Sequence, residues 1–307
     1  MPLVPVSLRL RPVAAATRTT KARDGRSLAF EEWGEPNGFP VFSLHGTPGS
    51  RFNRHYDEGL YVRAGVRVIT YDRPGYGKSD RQPGRAVVNC VEDVAALADT
   101  LEIDRFAVVG GSGGGPHALA VAARLPERVE RATCAVGVAP YDSEDFDWFD
   151  GMDPENVKEM QWGLEGEAVL VANLEREAAE ILARVAVDPS KIIGDEVELP
   201  ESDRLELARP ERQDVIRQAV NESVVNGVWG WADDDLAFLR SWGFEVSEIR
   251  IPTRVIYGRT DVLVPRNHGE WLAKNVPGAE VVIEDHQGHL PDPDSMFEIF
   301  RWLAQPS

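Results

Sequence analysis

The run Val108-Val109-Gly110-Gly111-Ser112-Gly113-Gly114-Gly115 constrains this chain more than any other stretch. It reads Gly-x-Ser-x-Gly and stands between segments of different periodicity. Residues 105–109 are short, apolar and rich in β-branched side chains, which suits a buried strand. Residues 116–124 are good helix formers with Pro116 in the first turn. A sharp turn from strand into helix forces its central residue into a strained backbone conformation and aims the side chain outward. Flanking glycines leave the clearance such a turn needs. Ser112 would then offer its hydroxyl at the carboxyl end of a sheet, over a helix N-terminus that favours developing negative charge. A glycine-rich turn that only packs, or that cradles a phosphate, has the same pattern. The rest of the chain must separate these readings.

The pattern around this turn alternates. A hairpin is expected at 19–23 and 27–32, reversing at Asp24-Gly25. Strands follow at 40–44, 66–71, 105–109 and 131–137, then at 253–257 and 280–284. Helices are expected at 53–64, 87–101, 116–124, 267–275 and 295–303. In 87–101, Val87, Val91, Val94, Ala95, Leu97, Ala98 and Leu101 share one face. Strands alternating with helices argue a mostly parallel sheet covered on both faces. In such sheets sites gather at the carboxyl ends of the strands. Each unusual loop here follows a strand: His45-Gly46-Thr47, Asp72-Arg73-Pro74, Ser112, Asp261 and His289.

The alternation stops between about 140 and 242. That stretch is helix-prone and punctuated by Pro154, Pro189, Pro200 and Pro210. It also holds the charge. From Pro140 to Asp235 there are 26 acidic and 8 basic residues, a net of −18, which equals the net charge of the whole chain. Such a balance argues against nucleic acid or an anionic membrane as partner. A solubilising exterior on a helical insert explains it most simply; a field that disfavours anionic substrates is the sharper alternative. No apolar run is long enough for a membrane span. The first 16 residues read as an arm without a secretory signal. Cys90 and Cys134 fall in an expected helix and strand. They read as buried thiols, which fits a cytoplasmic location. No cysteine and histidine cluster has metal-ligand spacing, so no metal and no cofactor is expected. The oligomeric state is not readable from the sequence.

Five motifs in order carry a resemblance. They are His45-Gly46 after a strand, Asp72-Arg73-Pro74-Gly75-Tyr76-Gly77-Lys78-Ser79, Gly110-x-Ser112-x-Gly114, Tyr257-Gly258-Arg259-Thr260-Asp261 with Val264-Pro265, and Gly288-His289. The chain resembles the α/β-hydrolase superfamily over about 17–139 and 243–304. The resemblance implies an α/β-hydrolase core, 17–139 and 243–307, with a helical cap inserted at 140–242. It also implies the chain order nucleophile, acid, histidine, which 112–261–289 obeys.

Residue chemistry points the same way. A serine hydroxyl is a poor nucleophile until a base takes its proton. His289, on a loop after the last strand that Gly288 would free to move, is the expected base. His286 is its nearest rival. His117 reads as a packing residue, His55 and His268 as surface helix residues, and His45 as a residue that shapes its loop. Asp261 is expected to fix the tautomer of His289, with Asp142 as the alternative acid. The resemblance implies an oxyanion hole made by the amides of Thr47 and Gly113, with Gly46 as alternative donor and a contact from the Thr47 hydroxyl as an extra. The 72–79 loop is expected to be structural, with Arg73 pairing a carboxylate.

The expected activity is hydrolysis of a small or medium carboxylic ester by a serine esterase through an acyl-enzyme. The alternatives are a lyase or cofactor-free peroxidase on the same scaffold, an aminopeptidase or lactonase, and a silent ligand-binding protein. Glu165 and Glu167 loosely resemble the acidic lid residues that bind a free amine in proline aminopeptidases. Those enzymes carry a tryptophan after the serine, where this chain has Gly113. Trp148, Phe149, Trp162, Trp229, Trp231 and Trp242 are expected to divide between lid packing and the wall of an apolar pocket.

Overall fold

In a computed structural model, which describes residues 17–143 and 146–305, eight strands form one sheet. The expected arm at 1–16 lies outside the described residues. The hairpin joins β1 (Arg18–Lys21) to β2 (Ser27–Gly34), and Gly25 takes the left-handed φ of 90° its turn requires. β2 runs antiparallel to β4 (Val66–Tyr71). Every later pairing is parallel: β4 with β3 (Phe39–Leu44), then β5 (Phe106–Gly111), β6 (Val129–Ala135), β7 (Thr253–Gly258) and β8 (Glu280–Glu284). The order across the sheet is β1-β2-β4-β3-β5-β6-β7-β8.

Strand side chains alternate between the two faces. Phe42, Ile69, Phe106 and Val108 share one core with α2 (Cys90–Thr100) and α3 (Gly114–Arg124). Val41, Val68, Ala107 and Val109 share the other with α1 (Gly59–Ala64) and α10 (Pro293–Leu303). Helix α1 begins six residues later than the periodicity suggests. Side chains capture nearby amides there: Ser50 N–H donates to Asn53 Oδ1 at 2.8 Å, and Gly59 N–H to Asp57 Oδ1 at 3.0 Å.

Between β6 and β7 run α4 (Pro154–Glu165), α5 (Glu167–Val187), α6 (Glu201–Leu207), α7 (Pro210–Ser223) and α8 (Trp229–Phe238). The prolines that punctuate this stretch start its helices. Pro154 and Pro210 are first residues, where a missing N–H leaves no bond unmade, and Pro200 caps α6. The insertion buries two further apolar clusters, one around Leu170, Leu174 and Trp231 that Tyr76 joins and one around Val185, Leu207 and Val220 against which Leu263 and Leu290 pack. Its far end belongs to the core, because Phe238 and Trp242 pack with the sheet residues. Helix α9 (Arg266–Asn275) follows β7. Among the described residues no helix is long and apolar enough to cross a membrane.

Candidate active site

Ser112 sits between β5 and α3 with φ of 54°, a left-handed conformation costing about 1–3 kcal/mol for a residue with a side chain. The turn is held by Ser112 N–H donating to Ala135 O at 3.0 Å and Gly115 N–H to Ser112 O at 2.8 Å. The flanking glycines are required by approach distance. A Cβ on Gly110 would run into the Gly114 carbonyl, and one on Gly114 into the carbonyls of Leu44 and His45. Because β3 pairs with β5, Leu44 lies opposite Gly110, and the two loops emerge side by side. Thr47 therefore touches Gly113, where any Cβ would strike its side chain. That contact also excludes a tryptophan at 113. Gly46, Thr47, Ser112 and Gly113 all line one cavity of about 370 Å³.

His289 lines the same cavity, with no direct hydrogen bond to Ser112. Its Nδ1–H donates to Asp261 Oδ2 at 2.8 Å, which leaves Nε2 as the free acceptor. The other oxygen of Asp261 accepts from Leu263 N–H at 2.9 Å and Val264 N–H at 3.0 Å. A turn aspartate and a histidine partner are thus one residue. Asp142 is exposed. Burial works against the imidazolium of His289. The charge of Asp261, the hydrogen bond to it and the charge of Asp203 outweigh that, and the His289 pKa lies above its ordinary value.

The histidine loop does not hang free, as its glycine suggests. Asp203 on α6 accepts from His289 N–H at 2.8 Å and Leu290 N–H at 3.0 Å, and Ser202 Oγ accepts from Gly288 N–H at 3.2 Å. A Cβ on Gly288 would run into Asp203 and Pro200. The glycine serves close packing between the loop and the insertion. The sequence offered no signal for Asp203, which lies 86 positions away.

The 72–79 loop does more than turn. Arg73 is buried and donates to His45 O, to Gly46 O at 3.0 Å and to Thr47 Oγ1 at 3.1 Å. It also pairs with Asp234 on α8 at 2.6 Å. Asp234 further accepts from Arg85 at 2.5 Å, Tyr76 Oη at 2.8 Å and Thr47 Oγ1 at 2.9 Å. Burial alone would favour its neutral form, but Arg73 and Arg85 hold its carboxyl well below the usual range. The Thr47 hydroxyl is committed to this network, so the extra substrate contact expected from it is withdrawn. Only its backbone remains on offer.

The remaining histidines are neutral or outside the cavity. His45 is held well below its ordinary pKa by burial and by Arg73; its Nδ1–H donates to Gly46 O at 2.7 Å and its Nε2 accepts from Arg73 N–H at 3.2 Å. His117 is buried, lowered to about 3, and donates to Gly113 O at 2.8 Å. His55 and His268 are buried rather than surface residues. His268 accepts from Ala139 N–H at 3.1 Å and donates to Trp148 O at 3.0 Å, joining α9 to the chain leaving β6. Both are polar groups that tertiary packing covers and backbone bonds satisfy. His286 is exposed.

Of the aromatic residues, Trp148, Trp162 and Trp231 wall the cavity with Phe238. Trp242 stacks on Phe244 in the core, and Trp229 lies under Arg81. Glu165 and Glu167 are exposed and do not line the cavity. The acids that reach it are Glu155, Glu159, Glu177, Glu196 and Asp235.

Comparison with known proteins adds a second line of observation. A family profile described as alpha/beta hydrolase fold matches residues 40–291. A 2-hydroxy-6-oxononadienedioate/2-hydroxy-6-oxononatrienedioate hydrolase of Burkholderia vietnamiensis is 31% identical over 252 residues, 80% of this chain and 79% of that one. A non-heme chloroperoxidase of Streptomyces lividans is 35% identical over 124 residues, 40% of this chain and 45% of that one. Among solved structures, a hydrolase of Pseudomonas aeruginosa superposes with a TM-score of 0.68 at 24% identity, covering 94% of this chain and 97% of that one.

Proposed function

The chain belongs to the α/β-hydrolase fold family, and from that premise we propose that it is a serine hydrolase cleaving a small or medium carboxylic ester. One observation carries the reading. A strained serine, an imidazole bonded to a buried aspartate, and two adjacent loop amides line a single cavity with aromatic walls. Ser112 Oγ attacks the acyl carbon while His289 Nε2 takes its proton. The amides of Gly113 and Thr47 hold the oxyanion, and Asp261 stabilises the imidazolium. His289 returns the proton to the leaving alcohol. Water, deprotonated by the same nitrogen, then attacks the acyl-enzyme and releases the acid. The helices of 140–242 act as a cap that closes the cavity.

The dioate named for the Burkholderia relative is not carried over. Five carboxylates line this cavity among the described residues, against one arginine, Arg184, which is itself 3.7 Å from Glu177. Two further negative charges would be repelled there.

Ser112→Ala tests the reading. Cleavage of p-nitrophenyl esters and covalent labelling by an organophosphate probe are expected to vanish with folding intact. Turnover that survives the substitution, or a wild-type protein that neither labels nor cleaves any ester of a chain-length series, would overturn it.

A further inference from the structure

The insertion side of the cavity holds two acids for which ester hydrolysis has no use. Glu159 on α4 and Asp235 on α8 line it together with Ser112 and His289. Asp235 is 0% exposed, and among the described residues neither of its oxygens finds a donor. Glu159 is half-buried, and its Oε1 accepts from Trp231 Nε1–H at 2.8 Å. The two carboxyls are neighbours, and the repulsion between their charges favours a proton on one of them.

Among the described residues no cation pairs with them. The charged groups that act most on Asp235 are Glu159, Asp234 and Arg85, and Arg85 is spent on Asp234. The charged groups facing Glu159 are Asp235 and Glu177 of α5, which adds negative charge. Burial pushes Glu159 up to about 7, against the bonds from Trp231 and Asp235. Burial, then the charges of Glu159 and Asp234, push Asp235 well above the usual carboxylate range. A buried polar group without a partner is unfavourable, and a buried charge more so. A fold that keeps such a group, Asp235, beside a second carboxyl on the wall of its reaction cavity has left room for a partner from outside.

We propose that Glu159 and Asp235 receive a protonated amine of the substrate, so that the Ser112 site prefers esters or amides bearing an ammonium group. The inference deepens the hydrolase reading and rests on it for the word substrate. Binding is a proton exchange: the ammonium donates N–H bonds to both carboxylates, and the proton they share leaves to solvent. Affinity for a cation therefore rises with pH below the point where the pair loses that proton, by up to about tenfold per unit.

The test uses the full chain and two probes of equal length, hexylammonium and 1-hexanol, followed by calorimetry at about pH 6 and about pH 8. Hexylammonium is expected to bind roughly tenfold or more tightly than hexanol at the higher pH, with proton release, and more weakly at the lower. Glu159→Gln and Asp235→Asn should each erase most of that difference. Equal binding of the two probes, or a difference that survives both substitutions, overturns the proposal. In turnover, the ratio of kcat/KM for phenyl 6-aminohexanoate over phenyl hexanoate should exceed one and fall in both variants. The two readings fail separately. Loss of labelling at Ser112 removes the hydrolase and leaves the amine site, whereas indifferent binding removes the amine site and leaves the hydrolase.

Discussion

Asp234 and Asp235 are neighbours on one helix and face two different regions of the molecule. Asp234 points to the core side, where Arg73, Arg85, Tyr76 and Thr47 all reach it. Asp235 joins Glu159 on the insertion side and finds no donor among the described residues. The core half of the cavity therefore treats its buried acids as structural charges. Asp72 is matched by Arg51 at 2.5 Å, Asp261 by His289, and Asp234 by two guanidiniums. On the insertion side Asp235 has no such match among the described residues. Matched buried charge fixes geometry, and the loops carrying Thr47 and His289 hang from it. Unmatched buried charge is unfavourable, and it is relieved by taking up a proton or by a cationic partner.

The largest expected effect tests the core half at Asp261 and His289, the pair proposed as catalytic. Asp261→Asn should lower kcat by roughly four orders of magnitude with folding retained, since an amide imposes the wrong tautomer on His289 and cannot stabilise its cation. Asp142→Asn should leave turnover unchanged. The reverse outcome, read in steady-state kinetics on a p-nitrophenyl ester, would move the acid to 142.

Next comes the contrast between the neighbours themselves. Asp234→Ala leaves two buried guanidiniums without a counter-charge and should cost about 3–5 kcal/mol in urea unfolding. Asp235→Asn removes a carboxyl that is protonated or repelled, and should be neutral or stabilising by up to about 1 kcal/mol at neutral pH. Equal losses at the two positions would erase the distinction between the halves.

Asp203→Asn examines the tie between them. An amide can accept one of the two loop N–H groups but opposes the other, so kcat should fall about tenfold. The charge lost near His289 should also move the ascending limb of the pH–rate profile to lower pH, because Asp203 helps hold that pKa up. A merely structural role would leave the limb where it is. In the wild type the limb should lie above the ordinary histidine value, activity rising as the imidazole loses its proton.

The smallest effect is on stability against pH. The folded Glu159–Asp235 pair keeps a proton that the unfolded chain gives up at ordinary carboxylate values. Between those values and about 7 the native state binds more protons, so this pair's contribution falls as pH rises, by at most about 1.4 kcal/mol per unit. Asp235→Asn should flatten that part of the slope, as measured by urea midpoints across pH 5 to 8.

Much of this was legible before any coordinates, because it is written locally. The β-branched run before Gly110 and the alanine-rich run after Pro116 specify strand and helix by short-range preference, and the glycines between them specify the turn. The strands at 66–71 and 280–284 stand where their patterns predict. Local chemistry misled where side chains compete with the backbone, as at Asn53 and Asp57, which delay α1. It also misled at His55 and His268, polar residues on short amphipathic text that neighbouring elements bury.

The sequence alone determined the order of strands and helices, the strained serine turn and the residues able to serve as base and acid, since period and turn chemistry act over a few residues. Only the tertiary structure decided which acid meets which cation. Asp203 and His289 are 86 positions apart, and Arg73 and Asp234 are 161. Two consecutive aspartates on α8 acquire opposite electrostatic roles because helix geometry turns successive side chains about 100° apart, and packing then gives one face two arginines and the other a second carboxyl.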